Sequence, residues 1–272
     1  MIAAFQRSLY VETAAGLACI GPHALGGGPL NVLIDGMDAL TPYDPPVALG
    51  TPANTVGGVI HISRSLRIDL SDTESWEPPP APPLDRSLID AGLTALALEA
   101  SGRAPPHGLA PLAFAAAPDD LGATASATLR RAQPAAEALR TWLAAARSDA
   151  AAPPPDEAAA LIGLGPGLTP AGDDLVGGAL LALHAVGRPD VADRLAEWAT
   201  GLAAKRTNPI SRAHLAAAAE GSGAEAVHRA INAVMAADRN AMPAALAGVE
   251  AIGHTSGWDA LTGATLALGT WR

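Results

Sequence analysis

The sequence predicts an α+β protein: a small β-rich unit over residues 1–76, a proline-rich connector over 77–84 and a mainly helical domain over 85–272. Three observations predict it. Short apolar runs broken by Gly, Pro, Asp and Asn fill the N-terminal part. The stretch EPPPAPP at 77–83 suits neither a helix interior nor a central strand, because proline lacks the N–H and clashes with the preceding turn. Ala/Leu/Arg-rich segments of helical character run from there to the C-terminus. Strands followed by helices is the α+β pattern.

Residues 16–21, 30–35 and 58–62 read as short strands bounded by turn formers. Residues 65–70 alternate with period two, as a half-buried strand does. Gly26-Gly27-Gly28-Pro29 is a turn. Together they suggest a small sheet or barrel-like unit. The connector is a stiff polyproline-type spacer. Helices are expected over 85–101 and 119–148, the second opening on Asp119-Asp120, whose charges suit a helix N-terminus. After a break at Pro153-Pro154-Pro155, helices are expected at about 168–187, 190–205, 209–220, 223–237, 243–252 and 256–269.

About half of the residues (49%) are apolar, enough to bury a sizeable core. The net charge of −10, with no basic patch, argues against nucleic acid as the main partner. Cys19 is the single cysteine, which excludes an internal disulfide and a multi-thiolate metal site. No apolar run is long enough to span a membrane and the N-terminus lacks signal-peptide character, so a cytoplasmic protein is expected.

The chemistry concentrates in GLGPGLTPAGDDLVGG at 163–178. Thr169-Pro170 reads as an N-cap and first helical residue, with Asp173 and Asp174 in the first turn. Gly163, Gly165 and Gly167 allow positive φ, so successive N–H groups can converge on an anion before the helix. The same residues also make an ordinary helix cap. No Lys-Ser/Thr follows Gly167 and no strand precedes the loop, so it is neither a Walker loop nor a dinucleotide fingerprint. Asp173 and Asp174 are the candidate Mg²⁺ ligands.

A second copy raises the weight of this motif. Residues 171–183 align without a gap with 256–268 at an offset of 85, placing Gly172 on Gly257, Asp174 on Asp259 and Gly178 on Gly263. Gly178 and Gly263 fall inside helices, where glycine costs roughly 1 kcal/mol relative to alanine. The repeated cost predicts two helices packed through these glycines, with Asp174 and Asp259 facing one pocket. A third helix start, Thr207-Asn208-Pro209-Ile210-Ser211, has the same cap-then-proline form and is flanked by Arg206 and Arg212. Arg suits a carboxylate or phosphate, though exposed Arg is common.

The candidate catalytic residues are therefore Asp173, Asp174 and Asp259. The candidate substrate-binding residues are Gly165, Gly167, Thr169, Arg206, Asn208, Ser211, His254, Thr255 and Ser256. Ser256 lacks a nucleophile-elbow context, and no histidine pair has zinc-ligand spacing.

The three blocks at 163–178, 206–221 and 253–268, with Gly26–Asn31 and Trp76-Glu77-Pro78, resemble a bacterial family long classed as a domain of unknown function and loosely called a carboxylase. It includes the AllH subunit associated with oxamate carbamoyltransferase in allantoin degradation. The resemblance implies FdrA-like and AllG-like protein partners and a reaction of oxamate or oxalurate with carbamoyl phosphate. It supplies no catalytic residues, so the roles above rest on the residues themselves. Two other readings stay open: a ligand-binding or scaffolding subunit without chemistry, and a stand-alone phosphoryl- or carboxyl-transfer enzyme.

Overall fold

The computed structural model describes residues 1–5, 8–14, 16–35, 48–62, 66–114, 122–148 and 152–272. The chain divides into two compact units, Met1–Glu77 and Pro78–Arg272.

The N-terminal unit contains two small sheets. In the first, β1 (Ala3–Ala4), β2 (Leu9–Thr13), β3 (Gly16–Gly21) and β4 (Asn31–Leu33) lie in that order. The first two pairings are antiparallel and β3–β4 is parallel. In the second, β5 (Asn54–Val56), β6 (Val59–His61) and β7 (Arg67–Asp69) form an antiparallel meander. On β7 Ile68 is buried between exposed Arg67 and Asp69, the alternation that its sequence predicts. Leu9, Val11, Ile20, Ile60, Ile62 and Ile68 make one apolar cluster from both sheets. β1, β2 and β5 lie outside the expected strands: β1 and β5 are only two and three residues long, and β2 (LYVET) mixes apolar and polar side chains without a clean apolar run.

In the C-terminal unit all eight expected helices form: α1 (Arg86–Ala100), α2 (Ala123–Ala145), α3 (Ala171–Ala185), α4 (Pro189–Arg206), α5 (Pro209–Ala219), α6 (Glu225–Met235), α7 (Met242–Glu250) and α8 (Ser256–Trp271). Asp85 caps α1, accepting from the N–H groups of Ser87 and Leu88. Asp119-Asp120 lie outside the described residues. The proline connector is tied to the helices by Asn232 Nδ2, which donates to the Pro80 carbonyl at 3.0 Å.

α3 and α8 form the centre. Apolar side chains cover them on nearly all faces, which marks helices enclosed by others. No helix among the described residues is long and apolar enough to cross a membrane.

Candidate functional site at the paired helix starts

The two glycines of the repeat set how closely α3 and α8 approach. A Cβ on Gly178 would lie 1.8 Å from the Ala260 carbonyl oxygen, and one on Gly263 would lie 1.7 Å from the Leu175 carbonyl oxygen. Ala260 is the repeat partner of Leu175, so the contact is reciprocal, like that of a two-fold interface within one chain. At the same end, the Thr169 and Ser256 hydroxyls share a hydrogen bond of 2.8 Å. The helix starts therefore stand side by side, as the repeat predicts.

Thr169 is not the cap of α3. Pro170 holds that position and no side chain caps the helix. The Thr169 hydroxyl is used across the seam instead. The N–H of Gly172 is satisfied by the Leu164 carbonyl, and those of Asp173 and Asp174 by the Pro170 carbonyl. Gly163, Gly165 and Gly167 all have positive φ, as expected. The Gly163 N–H points to an anion inside the protein: it donates to Asp173 Oδ1 at 2.7 Å.

Asp173 has a structural part. It is 2% exposed. Its Oδ2 accepts from the hydroxyls of Thr207 and Ser211, the latter at 2.6 Å. One carboxylate thus joins the loop before α3, the helix itself and the start of α5. Asn208 caps α5, accepting from the N–H groups of Ile210 and Ser211. Arg206 is exposed and donates to the Ala159 carbonyl, and Arg212 is exposed as well. The third helix start is therefore attached to α3 through Asp173, while α8 is attached through Thr169 and the glycine seam. Asp173 Oδ1 is thus engaged by an N–H and Oδ2 by two hydroxyls. No group of three His, Cys, Asp or Glu among the described residues has the arrangement of a metal site.

Asp174 and Asp259 differ from Asp173. Each has a buried Oδ2 with no hydrogen-bond partner. Asp259 is fully buried, and its Oδ1 accepts from the Leu109 N–H at 2.6 Å. Burial raises its pKa to about 6, against the lowering effect of the Leu109 N–H and the Thr255 hydroxyl. Asp174 keeps some exposure as a residue, while its Oδ2 is covered. Burial pushes its carboxyl well above the usual range, the Ser256 hydroxyl pulls it back, and the nearby charges of Asp259 and Asp173 push it up again. Both carboxyls are thus raised above the ordinary range, chiefly by burial, and at Asp174 the charge of Asp259 adds to the rise. One protonated and one ionised carboxyl offer a hydrogen-bond donor beside an acceptor.

A further residue, missed in the sequence, joins them. His107 stacks on exposed His254, ring centres 4.5 Å apart at 23°. Its Nε2 is buried and unpartnered. The next residue, Gly108, has a φ of 72°, and a Cβ there would lie 2.7 Å from Asp259 Oδ1 and 2.9 Å from Thr255 Cβ. Only glycine fits this turn. The signal in the sequence was faint: Pro105-Pro106-His107-Gly108 lies between two helices, far from the repeated motif.

Residues 161–268 match the family model of oxamate carbamoyltransferase subunit AllH. This is the AllH-like family that the glycine-rich blocks resemble. The match runs from the loop before α3 to within a turn of the end of α8, so it contains Asp173, Asp174, Asp259 and the whole glycine seam. His107 lies outside the AllH match. No curated protein and no solved structure matches the chain.

Proposed function

We propose that the chain is an AllH-like subunit of a carbamoyltransferase-type complex, and that the paired starts of α3 and α8 take a small anionic substrate bearing a primary amide, such as oxamate. The observation that carries this reading is the pair of equivalent carboxyls, Asp174 and Asp259, each with a buried oxygen that no protein group satisfies. Leaving a polar atom buried and unsatisfied costs about 1–3 kcal/mol. A cost placed twice, at equivalent positions of a repeat, fits a ligand-binding role.

An amide –CO–NH₂ group presents an acceptor and donors side by side. A protonated Asp174 donates to the amide oxygen and an ionised Asp259 accepts an N–H. In the transfer, the amide nitrogen attacks the carbamoyl carbon of carbamoyl phosphate. The new C–N bond forms, the C–O bond to phosphate breaks, and phosphate leaves with the electron pair. The nitrogen's proton passes to the ionised carboxylate as general base. The Thr169 and Ser256 hydroxyls reach Asp174, the Thr255 hydroxyl reaches Asp259, His254 stacks on His107, and Gly165 and Gly167 form the loop before α3. Asn208 and Ser211 are taken up by the α5 cap and by Asp173, and Arg206 holds the Ala159 carbonyl, so this third helix start braces the loop before α3 rather than meeting the substrate. FdrA-like and AllG-like subunits complete the enzyme.

The test is reconstitution of the chain with those two partners and assay with carbamoyl phosphate and oxamate. Asp174→Asn and Asp259→Asn are expected to lower the rate about 100-fold or more, the range of general acid–base catalysis, without lowering the melting temperature. Intact activity combined with a lower melting temperature supports a scaffolding subunit instead. Full turnover by the chain alone supports a stand-alone enzyme.

A further inference from the structure

Four buried side-chain polar atoms among the described residues have no hydrogen-bond partner: His107 Nε2, Asp174 Oδ2, Asp259 Oδ2 and Trp271 Nε1. Trp271 closes the far end of α8, where the Arg188 guanidinium lies over its ring. The other three belong to residues connected through the paired helix starts. His107 is stacked on His254, the neighbour of Thr255. Two residues after His107, the Leu109 N–H is held by Asp259 Oδ1. Gly108 packs between them against Asp259 and Thr255.

We propose that His107 contacts the ligand of this site, its Nε2–H donating to a ligand oxygen while Asp174 and Asp259 engage the amide of a primary carboxamide. The assignment deepens the reading above and rests on it for the location of the ligand. It adds the donor that the carboxyl pair lacks. Carboxylates engage N–H groups well, but only one protonated carboxyl is available to donate, and oxamate carries three oxygens. An imidazole supplies an N–H donor on a ring that the stack with His254 holds in place. Its position is fixed twice: by the ring stack on one side, and by the backbone that Asp259 grips two residues on. Asp259 therefore holds the His107 loop with one oxygen and keeps the other for the ligand.

Two variants separate contact from packing. His107→Phe keeps a flat ring on His254 and removes the nitrogen. His107→Gln places an amide N–H at about the reach of Nε2. Two-bond ¹H–¹⁵N spectra of the ¹⁵N-labelled full chain resolve the imidazole nitrogens, and the signals lost in His107→Phe assign His107. The probes are oxamate and acetamide, the second a bare primary carboxamide that cannot report on carbamoyl transfer.

Both probes are expected to shift the His107 Nε2 resonance. His107→Phe is expected to weaken oxamate binding about tenfold or more, roughly one lost hydrogen bond, with an unchanged melting temperature. His107→Gln is expected to recover part of the affinity. The proposal is overturned if neither probe moves the resonance, or if His107→Phe binds both as the parent does. If acetamide and oxamate move it but the reconstituted complex transfers no carbamoyl group, His107 stands and the transferase reading falls. If the complex turns over oxamate and His107→Phe leaves affinity and KM alone, the reverse holds.

Discussion

Replacing Gly263 by alanine separates the close approach of α3 and α8 from ordinary helix propensity. Alanine is the better helix former by about 1 kcal/mol. At Gly263 the new Cβ would sit 1.7 Å from the Leu175 carbonyl oxygen, whereas an ordinary carbon–oxygen approach is about 3.3 Å or more. The helices must therefore part by more than an ångström, at the place where both are packed on nearly all faces. Overpacking of a core costs about 1–3 kcal/mol and sometimes more, and a backbone carbonyl on a buried helix has little room to yield. The net loss is expected to be about 2 kcal/mol or more. At roughly 2–4 °C per kcal/mol for a unit of this size, the melting temperature falls by about 4–8 °C. Gly269, on the same helix, has no atom within 4 Å of a built Cβ, so Gly269→Ala is expected to raise the melting temperature by a few degrees through propensity alone. Tryptophan fluorescence is a suitable probe, because Trp142, Trp198, Trp258 and Trp271 all lie in the helical unit. Equal and positive shifts from the two substitutions would refute the argument that the repeated glycines exist for close packing.

Asp259→Asn is expected to stabilise the chain at pH 8 and to have little effect near pH 4. The folded carboxyl titrates near 6 instead of its ordinary 3.8, so its favourable contribution is present at acid pH and is lost as pH rises through 6. The loss is on the order of 3 kcal/mol, taking about 1.36 kcal/mol per pH unit, and melting curves of both proteins across pH 4–8 check it; parallel curves would count against the burial argument. Asp173→Ala leaves the Gly163 N–H and the Thr207 and Ser211 hydroxyls without their shared acceptor. It is expected to cost on the order of 3 kcal/mol, seen as a lower urea midpoint at unchanged slope; an unmoved midpoint would remove Asp173 from its structural part.

Much of this protein is legible in its sequence because the signals are local. Proline runs stop helices wherever they occur, and Ala/Leu-rich stretches carry helical character over their own length, so all eight helices could be placed; Asp85 and Asn208 cap theirs, whereas Thr169 does not cap α3. The pairing of α3 with α8 was also legible, because a glycine spent twice at equivalent helix-interior positions has few other uses. What the sequence could not assign was the division of labour among three aspartates. Asp173 and Asp174 are adjacent, yet about 100° of helical turn directs one to the start of α5 and the other toward α8. Hydroxyls and N–H groups brought from residues 163, 207 and 211 satisfy the first, and nothing of the kind reaches Oδ2 of the second. His107 was hidden for the same reason. Its link to Asp259 spans about 150 residues of chain through the Leu109 N–H, a backbone donor that every residue but proline carries and that no sequence pattern marks. Helix starts and glycine seams are written in short-range chemistry. Which buried oxygen remains unpaired depends on where distant loops come to rest, and only the tertiary structure decides that.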